Sequence, residues 1–164
     1  MPAHVYRFSE SWLIPAPRDE VWQVLSRAEL LPQWWQGVYL EATPLGDYPE
    51  PRVGNRFRAR ARGFLPYRLH FVLETAVLNR PEQVAIKLTG DLTGIWSATL
   101  TDVPEGTHVA LEQETSADKL MLRLLSPVLK PLFAWNHRWT TPRGQAGLTA
   151  YLAKHGKLRA PAQG

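Results

Sequence analysis

The stretch Asn55-Arg56-Phe57-Arg58-Ala59-Arg60-Ala61-Arg62-Gly63-Phe64 decides the fold. Arginines at 56, 58, 60 and 62 hold one parity, while Phe57, Ala59 and Ala61 hold the other. Successive side chains of a strand point to opposite faces, so this is a strand with one wet, basic face and one face offering small apolar groups to an interior. On a helix the same four arginines, stepping about 100° per residue, would spread around the axis. A strand with one face in water and one in the core belongs to an antiparallel sheet.

The same reading extends in both directions. Gly63 to Pro66 marks a connection, and Tyr67, Leu69, Phe71 and Leu73 then form a second inward parity. Arg80-Pro81 is a boundary. Gln83 to Thr89, Gly94 to Thr101 and Thr107 to Thr115 read as three more strands, with turns around Asp91 and around Pro104-Glu105-Gly106. On the N-terminal side Val38 to Leu45 is a strand, followed by the loop Gly46-Asp47-Tyr48-Pro49-Glu50-Pro51. His4 to Ile14 is the first strand, with Tyr6, Phe8, Trp12 and Ile14 on one parity and Glu10 interrupting it. The connections between the later strands are too short for parallel crossover helices, so the sheet is expected to be an antiparallel meander.

Helical signals lie at the two ends. Pro15 and Pro17 end the first strand, and Asp19-Glu20 suits the first turn of a helix, where carboxylates meet free backbone N–H groups. Val21, Trp22, Leu25 and Ala28 give it an apolar face. Leu30-Leu31-Pro32-Gln33-Trp34-Trp35 reads as a second short helix or turn that ends at Gly37. Helix formers run from Ala117 to Leu125. Ser126-Pro127 suits an N-cap with proline at the first helical position, and a long helix is expected to continue towards Leu152. Pro142 should kink or interrupt it. Leu129, Phe133, Asn136, Thr140, Gly144, Gly147 and Tyr151 fall on one face, whose glycines permit a close backbone approach. The expected fold class is α+β, a curved antiparallel β-sheet around a long C-terminal α-helix. Residues 4–155 are expected to form a single domain, with 156–164 as a frayed tail.

Composition excludes several function classes. The 164 residues are 45% hydrophobic and 21% charged, which is ordinary globular chemistry for one domain. Cysteine is absent, which removes disulfides, thiolate nucleophiles and cysteine-ligated zinc. The five histidines form no His-Glu-x-x-His pattern, so no metal is expected. The glycines form no phosphate-binding or dinucleotide fingerprint, and no cofactor is expected. No serine sits in a Gly-x-Ser-x-Gly elbow. Met1 to Phe8 lacks a long apolar run, and Leu120 to Trp135 is broken by Arg123, Pro127, Lys130 and Pro131. No signal peptide or transmembrane segment is expected, and the expected setting is cytoplasmic. A formal charge of +4 permits weak attraction to anions without establishing a nucleic-acid partner, and none is expected.

The order of these pieces carries a resemblance. Ile14-Pro15-Ala16-Pro17 is followed by Glu20-Val21-Trp22, then Leu31-Pro32-Gln33-Trp34-Trp35, Gly90-Asp91-Leu92-Thr93-Gly94 and finally Trp135-Asn136-His137. Over Tyr6 to Leu152 the chain resembles the START-like, or SRPBCC, superfamily, within its polyketide cyclase/dehydrase-like group. The resemblance implies a helix-grip fold enclosing an apolar cavity. Its members include lipid carriers, hormone and polyketide binders and cyclases, so it narrows ligand type more than reaction. Pro142 departs from many relatives.

The helix either fills the sheet completely or leaves a slot lined by Phe57, Phe71, Ile86, Trp96, Leu111 and Phe133. Such a slot would favour an apolar or aromatic small molecule with few polar anchors. Tyr67 and Gln113 are candidate hydrogen-bonding groups for a ligand, or they satisfy backbone groups. Asn136 and His137 either fasten the helix to neighbouring loops, the weightier reading, or meet a ligand. His137 and Tyr67 are the candidate proton-transfer residues of a cyclase. Trp96 is core material or a stacking platform. Trp34 and Trp35 anchor the short-helix region or line the entrance. Glu112 and Glu114 share an outward parity and are read as solvated. The arginine ridge is read as a wet face or a homodimer contact, with an anionic-surface or RNA module as the remaining alternative.

Overall fold

The computed structural model describes residues 5–62, 68–117 and 142–154. Seven strands form one sheet: β1 (Val5–Ile14), β2 (Tyr39–Pro44), β3 (Arg56–Arg62), β4 (Arg68–Asn79), β5 (Gln83–Gly90), β6 (Leu92–Val103) and β7 (Gly106–Ala117). Their order in space is β1-β7-β6-β5-β4-β3-β2, with every neighbouring pair antiparallel. The expected meander is therefore present. β1 and β2 are consecutive in sequence but occupy opposite edges. The chain between them must cross the sheet, and it does so as α1 (Arg18–Leu25), a single 3-10 turn (Ala28–Leu30) and α2 (Leu31–Trp34). Residues 142–154 form the last helix, α3.

The alternation in β3 is as the sequence dictates. Phe57, Ala59 and Ala61 are buried, Arg56, Arg58 and Arg62 are exposed, and Arg60 is half-buried. β4 repeats the pattern with Phe71 and Leu73 inward. In β1, Trp12 and Ile14 are buried, and Glu10 keeps the same inward parity opposite Leu111 of β7. In α1 the first turn carries Asp19 and Glu20, and Val21, Trp22, Val24 and Leu25 are buried. The core thus lies between the concave face of the curved sheet and the helices. Burying a large apolar side chain there contributes about 1.5–3 kcal/mol.

Two anchors fix α1. The indole N–H of Trp22 donates to the carbonyl of Gln83 at 3.1 Å. Arg80, beyond β4, donates to both carboxylate oxygens of Asp19 at 2.8 and 2.9 Å and lies 5.4 Å over the Trp22 ring. α3 is held differently. Leu148 and Leu152 are buried in the core, and Gly144 meets the rings of Trp12 and Trp35. Pro142 is exposed and helical, and the helix runs on from it without a break to residue 154. The kink expected at Pro142 concerns residues before it, which lie outside the described ones. Leu129, Phe133, Asn136 and Thr140 lie outside them as well. On the described part of the helix the fully buried stripe is Gly144, Leu148 and Leu152, with Gly147 and Tyr151 at its margin.

Candidate functional site

The site is built where the helical cover meets the concave face. Adjacent helical residues diverge by about 100°. Trp35 has left the helix, with φ −106° and ψ 57°, and its ring turns to lie on that of Trp34, 5.2 Å away at 18°. Trp12 of β1 meets both rings edge-on, at 6.2 and 5.6 Å. Tyr39 of β2 lies 5.4 Å from Trp35, and Phe71 of β4 lies 6.3 Å from Tyr39 at 82°. These edge and offset geometries suit the aromatic quadrupole and make the seam between cover and sheet one continuous aromatic contact.

Beside this seam is an apolar pocket. Leu25, Leu31, Trp34 and Trp35 cover it, Tyr39 forms one side, and Leu73, Ile86, Leu88 and Trp96 form the sheet wall. Its volume is about 10 Å³, room for about one water. Among the described residues no charged side chain lines it, and the Tyr39 hydroxyl is the single oxygen-bearing side-chain group of the lining. Burial pushes the Tyr39 pKa up to about 12, so at neutral pH it is a phenol, able to donate and accept. The indole nitrogens of Trp34 and Trp12 are buried without a partner. Each is a donor only. The described residues of the pocket therefore offer apolar surface, ring faces and one hydroxyl, with no charged side chain among them.

Of the slot residues expected from sequence, Ile86 and Trp96 line this pocket. Phe71 joins it through Tyr39. Phe57 is buried further along the concave face against Tyr48, 5.6 Å away, and Leu111 is buried towards β7. Gln113 is half-buried on the concave face, in register with Trp96 on one side and Phe8 on the other, outside the pocket lining. Tyr67, Phe133, Asn136 and His137 lie outside the described residues. Trp34 and Trp35 are buried in the cover and line the pocket. Glu112 and Glu114 are exposed on the outer face, and Glu114 pairs with Arg7 at 2.7 Å.

Two concave-face residues escaped the sequence reading as site groups. Strict alternation would place Tyr39 with Glu41. The register shifts between them, so Tyr39 pairs with the buried Ala61 while Glu41 pairs with the outward Arg60. A bulge of this kind re-aims one side chain, and period-two counting cannot see it. Glu10 did leave a signal, as the one acid within an apolar parity. It stands half-buried on the inner wall, two register positions from Gln113. Among the described residues no three His, Asp or Glu groups gather to hold a metal ion. No helix among them is long and apolar enough to cross a membrane.

A curved antiparallel sheet closed by helices over an apolar interior defines the helix-grip class. The family described as Activator of Hsp90 ATPase homolog 1-like protein matches residues 15–123. The chain belongs to that family, within the START-like, or SRPBCC, superfamily that its sequence resembles. No curated protein matches it by sequence. Among solved structures it is similar to the Zhui aromatase/cyclase from Streptomyces sp. R1128, at 10% identity over 97% of this chain and 99% of that one, with a TM-score of 0.77. It is also similar to norcoclaurine synthase of Thalictrum flavum, at 12% identity over 95% and 99% of the two chains, with a TM-score of 0.63. The di-domain ARO/CYC BexL from the BE-7585A biosynthetic pathway matches at 14% identity over 88% of this chain and 50% of that one, with a TM-score of 0.64. At these identities the likeness establishes the fold alone.

Proposed function

We propose that the protein binds a neutral apolar or aromatic small molecule between the concave face and its helical cover. The observation that carries this reading is the uncharged lining that the described residues Leu25, Leu31, Trp34, Trp35, Tyr39, Leu73, Ile86, Leu88 and Trp96 provide, with one phenol among them. The Tyr39 hydroxyl can donate to, or accept from, a ligand carbonyl or hydroxyl. Ring faces at Trp34, Trp35 and Trp96 supply stacking area at small entropic cost. Ligand pockets usually enclose about 300–1,000 Å³. The pocket of about 10 Å³ is smaller than that, so the reading requires it to enlarge on binding, with the α2 cover lifting from the sheet wall. Native mass spectrometry after exposure to a panel of neutral polycyclic aromatics and sterols tests the reading. One retained ligand per chain supports it, and no retention across the panel contradicts it.

A cyclase or dehydratase reading draws on the likeness to the aromatase/cyclase structures and on two polar groups along the concave wall, the phenol of Tyr39 and the side chain of Glu10. Acid–base catalysis needs such groups to converge on one reacting atom. Only Tyr39 of the two lines the pocket, which keeps this second to binding. Turnover of an aromatic polyketide precursor, lost in Tyr39→Phe and Glu10→Gln, would reverse the order. His137→Ala tests the role that the sequence reading gave to His137.

A further inference from the structure

The outer face of the β3–β4 pair is charged unevenly. At one end the arginine ridge is compensated: Arg56 stands opposite Glu74 and meets it at 3.6 Å, and Arg58 meets Glu41 at 3.5 Å. At the other end, nearest the connection between the two strands, the register sets Arg62 opposite Arg68 and Arg60 opposite His70. Arg62, Arg68 and His70 are exposed on the outer face. None of the four side chains has an ion-pair partner within 4.0 Å among the described residues. Of the two nearby acids, Glu41 stands in register opposite Arg60 and feels its charge, but its ion pair within 4.0 Å is with Arg58. Glu41 also accepts from Thr43 at 3.0 Å, and Asp91 accepts the backbone N–H of His70 at 2.9 Å. The Nε of Arg60 is buried without a partner.

Like charges directly opposite on antiparallel strands repel, since their β-carbons stand about 4.5–5.5 Å apart. Such an arrangement becomes favourable when an anion bridges it. Guanidinium groups present planar forks that match the oxygens of a phosphate, and several converging forks suit a group with oxygens on every side. We propose that Arg60, Arg62, Arg68 and His70 form a binding site for a phosphate group, carried either by a free phosphate ester or by a lipid headgroup. The site lies on the opposite face of the sheet from the apolar pocket and does not depend on a ligand there.

The test compares three proteins at fixed ionic strength: wild type, Arg62→Gln/Arg68→Gln, and Arg7→Gln/Arg52→Gln. The last removes the same charge from exposed arginines that are already paired with Glu114 and Glu50, each at 2.7 Å. Inorganic pyrophosphate is titrated by calorimetry, and phosphatidylcholine vesicles with and without phosphatidic acid are sedimented with each protein. Pyrophosphate binding should weaken roughly tenfold or more in Arg62→Gln/Arg68→Gln and about twofold at most in the control. If vesicle retention follows the same ranking, the headgroup is the source. If only pyrophosphate does, a free phosphate ester is. Equal losses in the two variants would reduce the effect to net charge and overturn the proposal, as would wild-type protein that binds neither probe. The melting temperature of Arg62→Gln/Arg68→Gln in phosphate-free buffer confirms that it is folded. Because the substitution relieves repulsion, that temperature should not fall below wild type.

Discussion

Gly147 of α3 lies so close to the backbone carbonyl of Trp34 that a β-carbon at position 147 would overlap the oxygen. The C-terminal helix is thereby keyed to the cover of the pocket through backbone contact, and a flexible side chain cannot yield to relieve a clash. Gly147→Ala should destabilise the fold by about 1–3 kcal/mol in urea unfolding, because α2 or α3 must shift. Helix propensity alone would stabilise the same substitution by about 1 kcal/mol. The sign of the measured change therefore decides whether the close approach exists. Ala146→Gly, on the exposed side of the same helix turn, should cost about 1 kcal/mol and serves as the propensity control.

Tyr39 gives the fold a pH signature. Its pKa is raised by burial to about 12, above the ordinary value of 10.0. A raised folded-state pKa means that the contribution is fully present below the unfolded value and disappears as pH climbs through the folded one. Stability attributable to Tyr39 should thus be flat below about pH 9 and fall between about pH 10 and 12, by an amount of order 2 kcal/mol. Tyr39→Phe should remove that share of the alkaline loss. Urea midpoints collected across this range for both proteins check it, and parallel profiles would place the phenol in water.

Trp34 and Trp96 line the same pocket but should respond differently to substitution. Trp34 is 1% exposed and packs against two other tryptophans, so Trp34→Ala should cost about 3–5 kcal/mol through the cavity it leaves. Trp96 is half-buried on the sheet wall. Trp96→Ala should preserve the fold while weakening an aromatic ligand roughly five- to tenfold through the lost ring contact. Chemical denaturation and a binding titration on both variants separate support of the cover from contact with the ligand.

Thr107 ties the start of β7 to the turn between β1 and α1. It is fully buried, and its hydroxyl donates to the carbonyl of Ala16 at 2.7 Å. Thr107→Val keeps the shape and strands that carbonyl, which should cost about 1–3 kcal/mol without altering ligand binding. A loss of binding at unchanged stability would contradict a purely structural role.

The sheet was legible because its physics is local. Arg56 to Arg62 alternate strictly, turn residues separate the later strands, and each inward parity from Phe57 to Leu111 faces the core. The glycines at 144 and 147 were legible as points of close approach. What they approach was not: Gly144 meets the rings of Trp12 and Trp35, and Gly147 meets the backbone of α2 rather than the sheet. The pocket was legible only in part. Ile86 and Trp96 follow from strand parity, but Tyr39 reaches the inner face through a register shift that leaves no mark on its own residue type. Leu31 enters the lining because the chain must cross the whole sheet between its two edge strands, a consequence of topology that no local window contains. The uneven charge on β3 and β4 was likewise invisible, since it depends on which residues stand across from each arginine.

The central claim is that a neutral aromatic ligand enters between Trp34-Trp35 and the sheet wall bearing Trp96. Indole N–H resonances in a nitrogen-15 NMR titration report on it directly. Trp22 is an internal control, since its N–H is bound to the Gln83 carbonyl and it does not line the pocket. The account predicts saturable shifts of the Trp34, Trp35 and Trp96 indole signals with Trp22 nearly still. Uniform small shifts across all four, or movement of Trp22 alone, would contradict it.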